Sequence, residues 1–148
     1  MKTKVYVAAL GMLLFLSACS PIEDTKNTLA YVNDVEDYMN EITEFANDFP
    51  EQAEQAITDE NVAASLEKNI EELQKAIDTI EQTEAPELID SLHAELVQQN
   101  EALSSQLVKL EESLEKGALT KAFVQDQEFM QTINDITSIY NEIENLGE

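Results

Sequence analysis

The chain is poor in the residue types that carry chemistry or interrupt helices. It has no arginine and no tryptophan, one histidine, one cysteine, three glycines and three prolines among 148 residues. A single cysteine cannot form an intramolecular disulfide, so packing must stabilise the folded part. The scarcity of glycine and proline favours long helices joined by short loops, which places neighbouring helices antiparallel.

The charge of the chain is one-sided. Thirty-one acidic residues stand against eight lysines, and the net charge is −23 at pH 7. Without arginine, the chain lacks the planar fork that usually binds phosphate and carboxylate groups. A surface of this charge repels nucleic acid and anionic lipid headgroups, so neither is expected as a partner. The apolar share, 43% of the residues, is too high for a disordered chain.

Patterns for catalysis, cofactors and metals are also absent from the sequence. His93 is the only histidine, and Asp90 lies three residues before it. Metal sites in ferritin-like bundles need such a carboxylate–histidine pair twice, on two helices. We therefore expect His93 at a boundary or on the surface, not as a ligand. With no zinc, calcium or phosphate-loop motif, we predict no catalytic, cofactor-binding or metal residue and no enzyme.

The first 18 residues have the features of a secretory signal. Lys2 and Lys4 precede a mostly apolar stretch over residues 5–18. This stretch is shorter than the ~20 apolar residues that a membrane-spanning helix needs. A charged start, a short apolar run and small residues at its end are typical of a signal that is removed. Residues 19–148 then suit one domain in length.

The signal ends in Leu16-Ser17-Ala18-Cys19, which resembles the lipobox of bacterial lipoprotein signal peptides. The resemblance implies that Leu16, Ser17 and Ala18 are recognised by the signal peptidase, and that Cys19 is lipidated and becomes the new N-terminus. Two or more acyl chains, at ~0.8 kcal/mol per buried CH₂, anchor a protein stably. The expected location is the outer face of the cytoplasmic membrane. A secreted protein with a chance cysteine and a retained anchor helix are the alternatives.

Apolar residues recur in steps of three and four through most of the remaining chain. This spacing places them on one face of each of four helices, so the sequence predicts an all-α fold, an antiparallel helical bundle of about four long helices. A three-helix bundle with a loose arm over residues 20–49 is the alternative. We disfavour it because the first stripe is aromatic and would aggregate if exposed. The four stripes are Tyr31, Val35, Tyr38, Ile42, Phe45 and Phe49; Val62, Leu66, Ile70, Leu73, Ile77 and Ile80; Ile89, Leu92, Leu96, Leu103, Leu107, Leu110 and Leu114; and Phe129, Ile133, Ile136, Tyr140 and Ile143.

Capping and helix-breaking residues predict where the helices begin and end. Whether residues 50–57 form a separate short helix is left open. The predicted boundaries are a capping box at Ser20, Pro21 and Glu23; an end at Pro50; a cap at Thr58 or Asp59 and an end near Gln82; Pro86 in the first turn of the third helix, which ends at Lys116 and Gly117; and a cap at Thr120 or Asp126 for the last helix, which ends at Leu146 and Gly147.

Polar residues interrupt the third stripe. Gln98, Gln99 and Asn100 are consecutive, and Gln106 lies a heptad beyond Gln99. A polar residue inside a helical seam fixes the register of packing at some cost in stability. The preferred interpretation places Gln99 at the margin of the stripe, within reach of water.

Three segments resemble the small acidic helical lipoproteins of Bacillus-type Gram-positive bacteria. They are the lipobox ending at Cys19, the segment Tyr31-Val32-Asn33, and residues 130–137 ahead of a short acidic tail. The resemblance implies no enzymatic activity. We therefore expect a lipoprotein that is held to the membrane through Cys19 and engages an envelope protein of unknown identity, with its oligomeric state open.

The alternative function is binding of a small ligand or a cation inside the bundle. The two hypotheses predict different interiors. A cavity with converging polar groups would favour a ligand, whereas a filled core with an exposed apolar groove would favour a protein partner.

Overall fold

The computed structural model describes residues 21–125 and 127–147, which form four long helices and one short one. The helices are α1 (Pro21–Ala56), α2 (Glu60–Glu81), α3 (Asp90–Glu115), α4 (Lys121–Val124) and α5 (Gln127–Gly147). These residues contain no strand. The predicted all-α fold is confirmed.

The four long helices form a closed ring around one core. α1 packs against α2 and α5, and α3 packs against the same two helices, so α1 and α3 lie across a diagonal. Short connections make consecutive helices antiparallel, and α1 and α3 therefore run in the same direction. The predicted stripes supply the core: every member is buried except the half-buried Val62, Leu92 and Tyr140. Because the first stripe is buried, the alternative with a loose N-terminal arm is wrong.

The predicted end of the first helix at Pro50 is wrong, because α1 continues to Ala56. Proline lacks an N–H group and clashes with the preceding turn, which costs about 3 kcal/mol in a helix interior. Pro50 itself is exposed, but Phe49 and Ala53 on either side of it are buried. Burial of the turns around Pro50 offsets the cost of the proline, and residues 50–56 form no separate helix.

The connections of α2 follow local capping chemistry. Asp59 caps α2, and its carboxylate accepts hydrogen bonds from the backbone N–H groups of Asn61 and Val62. α2 ends at Glu81, with Gln82 as the C-cap. The predicted placement of Pro86 inside the third helix is wrong. Residues 86–89 form a separate turn, in which the Ile89 N–H donates to the Pro86 carbonyl at 2.8 Å, and α3 begins at Asp90.

The end of α3 matches the sequence pattern. Gly117 has a φ of 59°, which only glycine adopts at little cost. Its N–H donates to the Leu114 carbonyl, and the Ala118 N–H donates to the Ser113 carbonyl, which satisfies two terminal carbonyl groups.

The last connection contains a helix that the sequence did not predict. Thr120 caps the four-residue α4 rather than the last long helix. Lys121 of α4 forms an ion pair with Glu54 of α1 at 2.6 Å. α5 begins at Gln127, and the two other proposed caps, Ser20 and Asp126, lie outside the described residues.

Candidate functional site

Two polar pairs cross the interior of the bundle along its diagonal. Tyr31 of α1 is hydrogen-bonded to Nδ1 of His93 on α3 at 2.6 Å, and the two rings meet edge to face. One heptad further along, the Tyr38 hydroxyl donates to Oδ1 of Asn100. Both pairs join residues 62 positions apart, so they set the same register between α1 and α3.

Burial keeps both tyrosines protonated. It raises the pKa of Tyr31 and Tyr38 well above the usual range, and the nearby carboxylates of Asp34 and Glu81 add to the effect. The two hydroxyl groups therefore retain their protons at any physiological pH. Both side chains therefore join α1 to α3 through hydrogen bonds of uncharged hydroxyl groups.

Asn100 is the polar residue that occupies the seam of α3. It is 0% exposed, whereas Gln99 is only half-buried, at the margin where the sequence placed it. Its Oδ1 accepts from Tyr38, but its Nδ2 finds no hydrogen-bond partner among the described residues. A buried amide with one unsatisfied group reduces folding stability by about 1–3 kcal/mol, so the unpaired Nδ2 of Asn100 destabilises the bundle.

A third polar contact joins α3 to α5. The Gln106 amide donates to the Thr132 hydroxyl at 3.2 Å, and that hydroxyl donates to the Glu128 carbonyl. Oε1 of Gln106 is buried without a partner in the described part of the chain. The polar interruptions noticed in the sequence therefore include two interhelical contacts, at Asn100 and Gln106.

His93 lies half-buried at the end of the diagonal, as the boundary prediction required. Burial lowers its pKa, and the carboxylate of Asp90 opposes that shift. Within residues 21–125 and 127–147, no three His, Cys, Asp or Glu side chains are placed to hold a metal ion.

Replacement of His93 by glutamine tests the role of the imidazole. Because the folded-state pKa is below the usual value of about 6.5, the unfolded chain binds a proton first on acidification. The contribution of His93 to the free energy of unfolding is complete above about pH 6.5, and it declines as the pH falls through the folded-state pKa. We expect His93→Gln, which retains a hydrogen-bonding amide without a titrating group, to lose less stability than the wild type between about pH 7 and pH 5. Urea unfolding between these pH values measures the free energy of unfolding of the two proteins. If that free energy depends on pH in the same way in both, protonation of His93 does not contribute to it.

An open acidic groove runs between α1 and α2. One part has a volume of about 510 Å³ and is lined by Glu41, Glu44, Asp48 and Glu72, with Lys75 as its cation. A second part of about 400 Å³ shares Glu41 with the first and is lined also by Asp34, Asp37 and Tyr38. The two parts are open to the surface, and buried apolar side chains of the core lie beneath them.

The outer faces of the helices differ sharply in charge. α1 exposes eight carboxylates: Asp34, Glu36, Asp37, Glu41, Glu44, Asp48, Glu51 and Glu54. α5 instead exposes an uncharged row opposite its buried face, which we name the amide stripe: Gln127, Gln131, Asn134, Ser138, Asn141 and Asn145. The exposed Met130 adjoins this row. The outer face of α1 is therefore strongly anionic, whereas the amide stripe carries no charge, although α5 also exposes Glu128, Glu142 and Glu144 beside it.

Exposed leucines mark one end of the bundle. Leu29 lies near the start of α1, Leu88 in the connection between α2 and α3, and Leu146 near the end of α5, and they are 47%, 63% and 42% exposed. The antiparallel topology brings these three segments to the same end of the bundle. α1 begins at this end, shortly after Cys19 in the sequence. Leu16, Ser17, Ala18 and Cys19 lie outside the described residues. No described helix is long and apolar enough to cross a bilayer.

Comparison with known proteins finds similarity at the level of sequence. A family model described as a family of unknown function, DUF6376, matches residues 31–146. The chain is 26% identical over 148 residues to "Uncharacterized lipoprotein YybP" of Bacillus subtilis (strain 168), and the match covers both chains completely. No solved structure has significant similarity to the chain.

The helical bundle and the full-length relative define the class as a small all-α protein similar to a Bacillus lipoprotein. More specifically, the chain belongs to the DUF6376 family, whose model covers most of its length. The resemblance to Bacillus-type lipoproteins is confirmed. Lipidation at Cys19 and the signal at residues 1–18 remain predictions.

Proposed function

We propose that the protein is a non-enzymatic scaffold of the cell envelope, tethered to the outer face of the cytoplasmic membrane through lipid on Cys19. The bundle presents its helix faces to a protein partner. The apolar core supports this proposal: among the described residues, Tyr31 and Tyr38 are hydrogen-bonded to His93 and Asn100 across the bundle, so these polar groups link α1 to α3. Such an interior suits a rigid platform better than a ligand-binding pocket.

The distribution of charge and apolar groups supports the orientation of this platform. The exposed leucines lie at the end of the bundle where α1 begins, next in sequence to the predicted lipid on Cys19. This end therefore faces the membrane. The long faces of the helices stand away from the bilayer, where they are accessible to a partner. The net charge of −23 opposes any electrostatic attraction to anionic lipid, so the acyl chains must provide the attachment.

The acidic groove between α1 and α2 favours a second candidate function, binding of a cationic ligand. Its carboxylates outnumber its single lysine, and its volume of about 510 Å³ falls within the range of small-molecule sites. Isothermal titration with Ca²⁺ and with a polyamine tests this candidate. Binding that disappears in Glu41→Gln/Glu44→Gln, but survives in the matched variant Glu142→Gln/Glu144→Gln on α5, would support it.

Photo-crosslinking in cells tests the scaffold. We expect a photoreactive residue at Asn134 to give a discrete protein adduct, because the amide stripe in which it lies contains no charged residue. Matched exposed positions at Thr43 on α1 and Ala64 on α2 measure the background. Absence of a discrete adduct from every helix face, together with saturable cation binding at the groove, would replace the scaffold with the ligand-binding candidate.

A further inference from the structure

The exposed leucines are confined to the end of the bundle at which α1 begins. Leu29, Leu88 and Leu146 lie there, and Leu88 is the most exposed of them, at 63%. Every other leucine that the structure describes is buried or half-buried. The other large apolar side chains that are exposed, Val108 and Met130, lie on the sides of the bundle, in the half away from this end.

The opposite end of the bundle covers its apolar side chains. In the connections there, Leu119 is buried, and Ile57 and Phe123 are half-buried. The short helix α4 packs against α1 at this end, and its ion pair between Lys121 and Glu54 joins the two. The connections of the chain can therefore shield apolar groups from water. The end at which α1 begins leaves three leucines unshielded, so the two ends of the bundle differ in chemistry.

The position of the predicted lipid indicates what lies against this end. α1 begins at Pro21, two residues after Cys19, so acyl chains on Cys19 enter the bilayer close to the exposed leucines. Leu29 lies about 12 Å along the helix axis from Pro21, at 1.5 Å per residue. The headgroup layers of a bilayer are each roughly 5–8 Å thick. An upright α1 holds the leucines just outside the headgroups, and a bundle that leans over brings them into this layer.

Attachment through the lipid makes a small apolar contact sufficient. Three leucine side chains bury too little area to bind a protein to a bilayer from solution. Once the chain is anchored, however, the contact is intramolecular, and its effective concentration is high. Glu87 and Asp90 lie close to Leu88 in the sequence, and Glu144 lies close to Leu146. These carboxylates stay in water, so the leucines can enter only the outer part of the bilayer.

We propose that Leu29, Leu88 and Leu146 form a shallow membrane contact, through which the end of the bundle leans onto the lipid surface beside the acylated Cys19. This rests on the proposed tether and deepens it. The lipid on Cys19 keeps the protein at the membrane, whereas the leucines set the tilt of the bundle. The tilt in turn decides which helix faces remain accessible to a partner.

The absence of tryptophan from the chain permits a direct test, because one introduced tryptophan reports on its own position. Leu88→Trp places it in the contact, and Val108→Trp, at a side chain 45% exposed on α3, is the matched control. The full-length lipidated variants are reconstituted in phosphatidylcholine vesicles that carry bromine on their acyl chains, since bromine quenches tryptophan at short range. We expect quenching of Leu88→Trp to be about threefold greater than that of Val108→Trp, because apolar groups at an interface reach the boundary between headgroups and acyl chains.

Removal of the other two leucines tests whether the three act together. Leu29→Ser/Leu146→Ser in the Leu88→Trp protein should lower the quenching to about that of the control, because serine is not drawn out of water. Circular dichroism checks that the bundle remains folded, which is expected for exposed positions. Equal quenching of the two single variants, or quenching of Leu88→Trp that does not change with the serines, would overturn the contact.

Flotation of the same vesicles separates the contact from the anchor. Protein that floats with the vesicles but shows no extra quenching at Leu88→Trp retains the tether and refutes the leucine contact alone. Protein that does not float lacks the lipid anchor, and that result overturns both the proposed tether and the contact that depends on it.

Discussion

Replacement of Cys19 by alanine is expected to abolish lipidation of the chain and to leave its signal uncut. The lipobox resemblance implies that the first lipid is transferred to the Cys19 sulfur and that the signal is cut after that transfer. With a net charge of −23, the bundle has no electrostatic attraction to the bilayer that would replace the lipid. We therefore expect the precursor to stay uncut and unlabelled when cells are grown with labelled fatty acid.

The control for this experiment is the neighbouring residue. Ser20→Ala leaves the lipobox intact, so label and processing should match those of the wild type. High salt should not release the wild-type protein from membranes, because salt screens charge and leaves the burial of acyl chains unaffected. Unchanged labelling of Cys19→Ala would exclude lipidation at this residue. Release of the wild type by salt would exclude the lipid as the sole anchor.

Apolar periodicity predicted most of the fold because it reports directly on burial. Nearly every residue of the four stripes lies in the core, including the aromatic stripe of α1 that excluded a loose arm. The helix end at Gly117 and the helix cap at Asp59 were also predictable, because a left-handed turn and a cap depend on local chemistry.

The failures arose where distant packing overrides a local preference. Pro50 signals a helix end, but the burial of Phe49 and Ala53 carries α1 past it. Asn100 is polar and was grouped with its glutamine neighbours, yet it lies in the seam. Its partner Tyr38 is 62 residues away, and no local pattern links the two. The continuous spacing of Ile89, His93, Leu96, Asn100 and Leu103 in steps of 4, 3, 4 and 3 was the available signal.

Replacement of Tyr38 by phenylalanine is expected to destabilise the bundle by about 1–3 kcal/mol, although it removes only one oxygen atom. Asn100 is fully buried, and its Nδ2 already lacks a partner among the described residues. Without the Tyr38 hydroxyl, its Oδ1 loses its partner too. Urea unfolding followed by far-UV circular dichroism measures the loss. Tyr31→Phe is the matched control, and it should cost less because His93 is half-buried and can bond to water.

The double variant Tyr38→Phe/Asn100→Leu separates an orphaned amide from lost packing. Leucine continues the seam between Leu96 and Leu103 and leaves no unsatisfied polar group, since a buried pair replaced by apolar groups of similar shape costs little. We therefore expect the double variant to be more stable than Tyr38→Phe alone, with a coupling energy of about 0.5–3 kcal/mol. If the stability losses of the single variants Tyr38→Phe and Asn100→Leu simply add in the double variant, the Tyr38–Asn100 hydrogen bond does not stabilise the contact between α1 and α3. A large coupling would show that this buried pair stabilises the contact between α1 and α3.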